Sequence, residues 1–135
     1  MAKLTQEMKD LVAAQQCFIA TVSPNGVPNV GPKRSTRVLD DEHIVFTETT
    51  GKQTWSNILN GSKVAIAVVD REKMKGFRFV GGAEAITSGP AVEQAAEMMK
   101  QRFGVAVPIK GLVKVSVEKI YNLGVPGAGD EVVGA

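Results

Sequence analysis

Pro24-Asn25-Gly26 restricts this chain more than any other feature. It separates two extended runs, the apolar and β-branched Cys17-Phe18-Ile19-Ala20-Thr21-Val22 and a longer stretch over 27–39. A connection that short only reverses the chain, because a parallel crossover takes roughly a dozen residues or more. Gly26 is free to take the positive φ that such a turn uses. Antiparallel strand pairing is therefore built in from the start.

Four further runs have strand character, at 43–49, 63–70, 77–87 and 111–120, giving six strands in all. Pro28 and Pro32 lack an N–H, so the second strand is expected to be kinked or at an edge. Gly81-Gly82 inside the fifth run marks a bulge or bend. Asp40-Asp41-Glu42 and 71–76 are turns.

Helical spacing appears in three places. Leu4, Met8, Leu11, Val12 and Gln15 share a face within residues 1–16, with Thr5 placed to cap it. Residues 52–59 bring Thr54, Trp55, Ile58 and Leu59 to helical spacing, and Gly61 stops them. Pro90 opens a third helix over 90–103, in which Met98 and Met99 are expected to pack. A Gly-rich tail, 122–135, ends beyond the expected core.

So few helices cannot cover both faces of a flat six-stranded sheet. The expected fold is mainly β with flanking helices: a single domain, 1–135, built as a small closed or split antiparallel barrel with helices plugging its ends. The chain is long enough for one sizeable core at 135 residues, with 44% hydrophobic and 22% charged content.

Composition removes several function classes. A net charge of +2 gives no broad basic field for nucleic acid or an anionic membrane. Aromatic residues are 5%, too few for a run of base-stacking platforms. One cysteine and one histidine leave no basis for a disulfide or a metal centre. No run approaches the length of a membrane span and no signal-peptide core is present, so a cytoplasmic location is expected.

Catalytic constellations are absent. His43 sits beside a turn, the acids at 40–42 read as solvated, and Cys17 reads as a buried, inert thiol. Gly51-Lys52-Gln53 lacks the earlier glycine and the following hydroxyl of a Walker loop, and Gly124 to Gly129 does not fit a dinucleotide fingerprint. What remains is cationic and rich in hydroxyls. Lys33-Arg34-Ser35-Thr36-Arg37 is expected on a strand, and Thr47 to Thr54 runs from a strand end into a helix start. A helix start offers free N–H groups and partial positive charge, so Lys52 and Thr54 would frame a phosphate-sized anion site, with Lys33 or Arg34 completing it. The plainer alternative is a capped surface helix with Lys52 in solvent, beside a basic edge that resists aggregation.

The order of these segments resembles the flavin-binding split-barrel superfamily, the pyridoxamine 5′-phosphate oxidase-like proteins. The resemblance covers the whole chain and rests on four pieces. They are Phe18 to Val22 with Pro24 to Pro28, Pro32-Lys33-Arg34-Ser35 ahead of Ile44 to Thr47, Gly51-Lys52-Gln53-Thr54 with Asn57 to Gly61 and Val64 to Ile66, and Pro126-Gly127-Ala128-Gly129. It implies FMN in a cleft between two barrels of a homodimer. Lys52, Gln53 and Thr54 would hold the phosphate. Lys33, Arg34 and Ser35 would meet the phosphate, ribityl chain or ring edge. Thr47, Glu48 and Thr49 would line the ring, and Trp55 would pack its helix on the barrel. The implied role is an oxidoreductase or electron-transfer flavoprotein. The segments that hold the true oxidase's substrate phosphate have no match here. Flavin storage, a deazaflavin or a haem are the alternatives on the same fold, and a nucleic-acid-binding small barrel using Lys33, Arg34 and Arg37 is a further one, disfavoured by the low net charge and few aromatics.

Overall fold

Side chains alternate in and out along the strands, and the inward set makes one continuous core. The computed structural model describes residues 1–133. In chain order its elements are α1 (Gln6–Ala14), β1 (Cys17–Val22), β2 (Pro28–Pro32), β3 (Arg37–Asp40), β4 (His43–Glu48), α2 (Gln53–Leu59), β5 (Val64–Asp70), β6 (Lys75–Ile86), α3 (Pro90–Phe103) and β7 (Gly111–Asn122). Ile19 stands opposite Ile66, Ile66 opposite Phe79, Phe79 opposite Ile120, and Phe46 opposite Val113. All of these are fully buried. Leu4, Met8 and Val12 from the α1 end of the chain and Ile58 from α2 join the same core, and Trp55 packs against it, as its spacing predicts. The Thr5 hydroxyl accepts the Met8 N–H in a capping box that starts α1.

The strands form one antiparallel sheet in the order β2-β1-β5-β6-β7-β4-β3. Its two edge strands, β2 and β3, are consecutive in the chain. The segment 33–36 alone joins them, so Pro32 and Arg37 lie within about 18 Å of each other, given roughly 3.6 Å per residue. The sheet must curl to bring its edges that close. It is an open, split barrel, and the mainly β expectation holds with seven strands rather than six.

The extra strand comes from a break in the expected run over 27–39. Lys33 to Thr36 forms a tight turn in which the Thr36 N–H and hydroxyl both bond the Lys33 carbonyl, at 3.1 and 2.7 Å. Before the turn the chain pairs with β1, and after it with β4 on the other edge. The basic segment is therefore a linker between edges, not part of a strand.

Val45 and Leu112 point away from the core yet are only 5% exposed. Helix α3 covers them from outside, with Ala95 and Met98 facing them across a cavity of about 210 Å³. It therefore lies on the outer face of the sheet and does not plug an end. The tail also departs from expectation. Beyond the loop 123–130 the Val132 N–H bonds the Ile120 carbonyl at 2.8 Å, and Val132 packs on the core. Gly134 and Ala135, the last residues of the expected tail, lie outside the described residues. Cys17 is 2% exposed and burial pushes its thiol up to about 11, which fits an inert packing role.

Candidate functional site

The linker 33–36 is stitched to the end of β4 by side chains. The Ser35 hydroxyl accepts the Thr47 N–H at 2.8 Å and donates to the Thr47 carbonyl at 3.1 Å, replacing a rung of backbone ladder. Arg37 Nη1 donates to the Ser35 carbonyl at 2.8 Å and to Thr47 Oγ1 at 3.3 Å. Lys33 Nζ lies 3.0 Å from each oxygen of the fully buried Glu48 carboxylate. Strand alternation sends Glu48 inward with Ile44 and Phe46, and Thr47 outward.

Burial alone would raise the Glu48 carboxyl. Hydrogen bonds from Lys33 and the Gly51 N–H, the Lys33 charge and a bond from Thr50 outweigh it and hold the group below the ordinary glutamate range. A carboxyl lowered in the fold adds stability above its unfolded pKa and loses it as pH falls through the folded value. The urea midpoint is therefore expected to drop as the solution is taken below about pH 4, near the unperturbed carboxyl value. The part due to this group should be missing from Glu48→Gln. An identical acid profile in the two proteins would refute the assignment.

The turn after β4 leads into α2. Lys52 is exposed at the N-cap position and makes no side-chain cap. Gln53 Nε2 donates to Asn57 Oδ1 at 2.7 Å, and Asn57 Nδ2 donates to Thr21 Oγ1 at 3.0 Å. Thr54 is buried and its hydroxyl accepts from Asn29 Nδ2 at 3.1 Å. These bonds moor α2 to β1 and β2; Lys52 and Gln53 are both exposed, and Lys52 is the charged one. Gly51 has φ +65°, and the Lys110 stem lies over it, within 2.9 Å of where a Cβ would stand.

A groove of about 320 Å³ runs along the outer side of this assembly. Lys33, Arg34 and Arg102 supply its cations, Ser35, Thr47, Thr49 and Thr50 its hydroxyls, and Pro32, Met99 and Phe103 its apolar wall. An adjoining hollow of about 260 Å³ shares Arg34, Ser35, Thr47 and Arg102 and adds Arg37. No carboxylate lines either one. A site with several cations, a row of hydroxyls and an apolar side suits a ligand with an anionic group, a polyol and a flat ring.

The structure thus gathers Lys33, Arg34, Ser35, Thr47 and Thr49 in one groove. Glu48 is behind it, inside the barrel. Lys52, Gln53 and Thr54 do not line it, but Lys52 follows Thr50 by two residues, so their Cα atoms are at most about 7.6 Å apart. Arg37, Met99, Arg102, Phe103 and Lys110 were not among the predicted site residues. Arg37 meets Ser35 only because the chain turns over 33–36, so it carries no signal in sequence, and neither do the α3 residues. A larger hollow of about 450 Å³ lies between α1 and the β5–β6 turn. Its lining mixes Glu7, Asp10 and Asp70 with Lys73 and Lys75, and includes none of the predicted site residues.

A family model described as pyridoxamine 5′-phosphate oxidase matches residues 4–124. The crystal structure of HupZ from Group A Streptococcus is 46% identical with a TM-score of 0.82, over 93% of this chain and 98% of that one. A protein of Methanocaldococcus jannaschii, uncharacterized, is 35% identical over 91% of this chain and 83% of its own length. The structure of a candidate pyridoxamine 5′-phosphate oxidase from Lactobacillus delbrueckii is 31% identical with a TM-score of 0.75, over 88% and 93% of the two chains. The fold alone is shared with an FMN-binding protein of Syntrophomonas wolfei, at 16% identity, a TM-score of 0.65 and coverage of 87% and 84%. It is likewise shared with an F420 reductase, at 20% identity, a TM-score of 0.65 and coverage of 87% and 98%.

Proposed function

The chain belongs to the pyridoxamine 5′-phosphate oxidase family, and on that premise we propose that it is an FMN-binding flavoprotein, homodimeric and cytoplasmic, with an oxidoreductase or electron-transfer role. The observation that carries the proposal is the acid-free groove of cations and hydroxyls against Pro32, Met99 and Phe103. FMN has the matching parts: a phosphate, a ribityl chain and a flat ring. When bound, the flavin supplies the electron chemistry, and the protein supplies binding, orientation and electrostatics.

In this reading Lys52, with Gln53 and the still-available hydroxyl proton of Thr54, receives the phosphate. Arg34 and Ser35 meet the ribityl chain or the ring edge, and Thr47 and Thr49 face the ring. Arg34 and Arg102 place positive charge beside the ring and so favour an anionic form of it. No side chain is required as acid or base.

A second copy would cover the outward face of β2, β1 and β5. Phe18 is 44% exposed there, Val22 43%, Val30 68% and Val69 49%, with Ala65 and Ala67 between them. A contiguous apolar patch of this kind is a usual mark of an interface. Val30→Lys is expected to halve the mass measured by light scattering. A parent protein that is already monomeric would remove the dimer from the proposal.

A deazaflavin is the second reading, since an F420 reductase shares the fold and an anionic ligand would meet the same cations. Haem is the weakest reading, because His43 is the one histidine that could be its ligand. His43 is held by Asp40 at 2.7 Å in the β3–β4 turn and does not line the groove. The deciding experiment is the absorbance spectrum of freshly purified protein, followed by acid release and mass spectrometry. Two flavin bands and released FMN are expected. A colourless protein that takes up no added FMN would sink the proposal.

A further inference from the structure

Glu48 is the one charged side chain among the described residues that is fully buried. Its surroundings are more specific than ion pairing requires. Oε2 accepts from Lys33 Nζ at 3.0 Å, from the Thr50 N–H at 3.1 Å, from the Thr50 hydroxyl at 3.0 Å and from the Gly51 N–H at 3.2 Å. Oε1 has Lys33 Nζ at 3.0 Å and no aligned hydrogen-bond donor.

These donors come from two separate segments. Lys33 begins the turn that carries Arg34 and Ser35 into the groove. Thr50 and Gly51 form the turn that delivers Lys52 to the start of α2. Among the described residues the carboxylate is the only charged side chain that bonds both segments. The same strand end that points Thr47 into the groove points Glu48 at the back of both turns.

Resting on the flavin reading above, we propose that Glu48 is the positioning residue of the cofactor site. It locks the Lys33–Ser35 linker and the Thr50–Lys52 turn into one geometry, and it holds Lys33 as its own counter-ion, so that Arg34, Arg102 and Lys52 are the cations that meet the ligand. A site pays in affinity when its supporting shell is loose, because binding must then order the segments as well. Lys33 contributes through Glu48, not through the phosphate. With 15% of its side chain exposed, it is directed inward while Arg34, next in the turn, is exposed.

The test adds FMN to flavin-free protein and follows quenching of flavin fluorescence and the visible circular dichroism of the bound ring. It is run at a temperature where far-UV dichroism shows each variant fully folded. Glu48→Gln keeps the volume and removes the charge. It is expected to weaken FMN binding at least tenfold and to change the visible dichroism of the flavin. Adding Lys33→Met to Glu48→Gln is expected to cost less than threefold more, because the two side chains act as one device. A further tenfold loss in that double variant would show that Lys33 touches the ligand itself, and would overturn the proposal. So would a folded Glu48→Gln protein that binds FMN as the parent does with an unchanged spectrum, which is the outcome of a purely structural ion pair. Should Glu48→Gln not fold, Glu48→Asp takes its place. It keeps the charge but is one methylene too short to reach both segments, and a fivefold loss is expected; parental affinity would overturn the proposal. A parent protein that binds no FMN overturns the flavin reading and this proposal together, whereas parental binding with unaffected variants overturns this proposal alone.

Discussion

Gly81→Ala is expected to destabilise the protein by about 3 kcal/mol, at the upper end of what overpacking costs. A Cβ at Gly81 would stand 1.8 Å from the Ser116 carbonyl oxygen and 2.8 Å from its carbon. Neither is a side chain that can swing aside. The register of β6 against β7 slips here, from Val80 opposite Lys119 to Gly81 opposite Val117, which leaves Glu118 as the extra residue of a bulge. Gly81 also pairs with Val64 on the other side, so β6 cannot move away from β7 without losing β5. Against a total stability of roughly 5–15 kcal/mol the loss is large, and about 10 °C in Tm is expected. Gly82→Ala is the control. Its Cβ would meet only Glu118 Oε2, at 3.7 Å, an ordinary contact. A change within about 1 kcal/mol is expected there. Equal denaturation midpoints for the two variants would show that the bulge yields, and that the bend in the barrel does not depend on it.

The same bulge shows how far the fold was legible. A glycine pair inside an otherwise regular strand is a local signal, and the β6–β7 register shifts at it, but the extra residue is Glu118 on the partner strand β7. Thr5 before the α1 face and Pro90 before α3 were local signals too, and both elements start where they indicate. The break at 33–36 was not legible, because Lys33 to Thr36 has no glycine or proline of its own. What ends the strand there is distant: β2 takes its partner from β1, β3 takes its own from β4, and the two pairs lie at opposite edges of the sheet. The return of the tail was hidden for the same reason, since it depends on Val132 meeting Ile120.

In the candidate site, residue type carried more information than position. The cations and hydroxyls Lys33, Arg34, Ser35, Thr47 and Thr49 were legible as candidates, and the structure gathers them in one groove. Thr47, Glu48 and Thr49 do not make one lining, because the period of two in a strand places Glu48 on the face opposite Thr47. That parity was available in the sequence, whereas the partnership of Ser35 with Arg37 was not, because it depends on the turn at 33–36. Met99, Arg102 and Phe103 enter the groove only because α3 crosses the outside of the sheet and ends beside the linker. No spacing within the chain predicts that approach.

Lys52→Ala is expected to weaken FMN binding roughly tenfold to a hundredfold while leaving Tm almost unchanged. Lys52 is exposed, makes no side-chain cap and has no ion-pair partner among the described residues, so the fold loses little with it. The binding loss follows from the ligand's charge. A hydrogen bond to a charged group contributes about 1.5–3 kcal/mol, and about 1.4 kcal/mol is a factor of ten in affinity. Gln53 and Thr54 do not replace it, because both are neutral and add only uncharged donors where Lys52 brings a positive charge. Riboflavin separates the phosphate from the rest of the molecule. It lacks that group, so parent and variant are expected to bind it within about twofold of each other, and the salt dependence of FMN binding should fall in the variant. An equal loss for riboflavin would mean that Lys52 serves the ring or the ribityl chain. An unchanged affinity for FMN, alongside a large loss in Arg34→Ala, would move the phosphate to the Arg34 and Arg102 end of the groove and turn the flavin end for end.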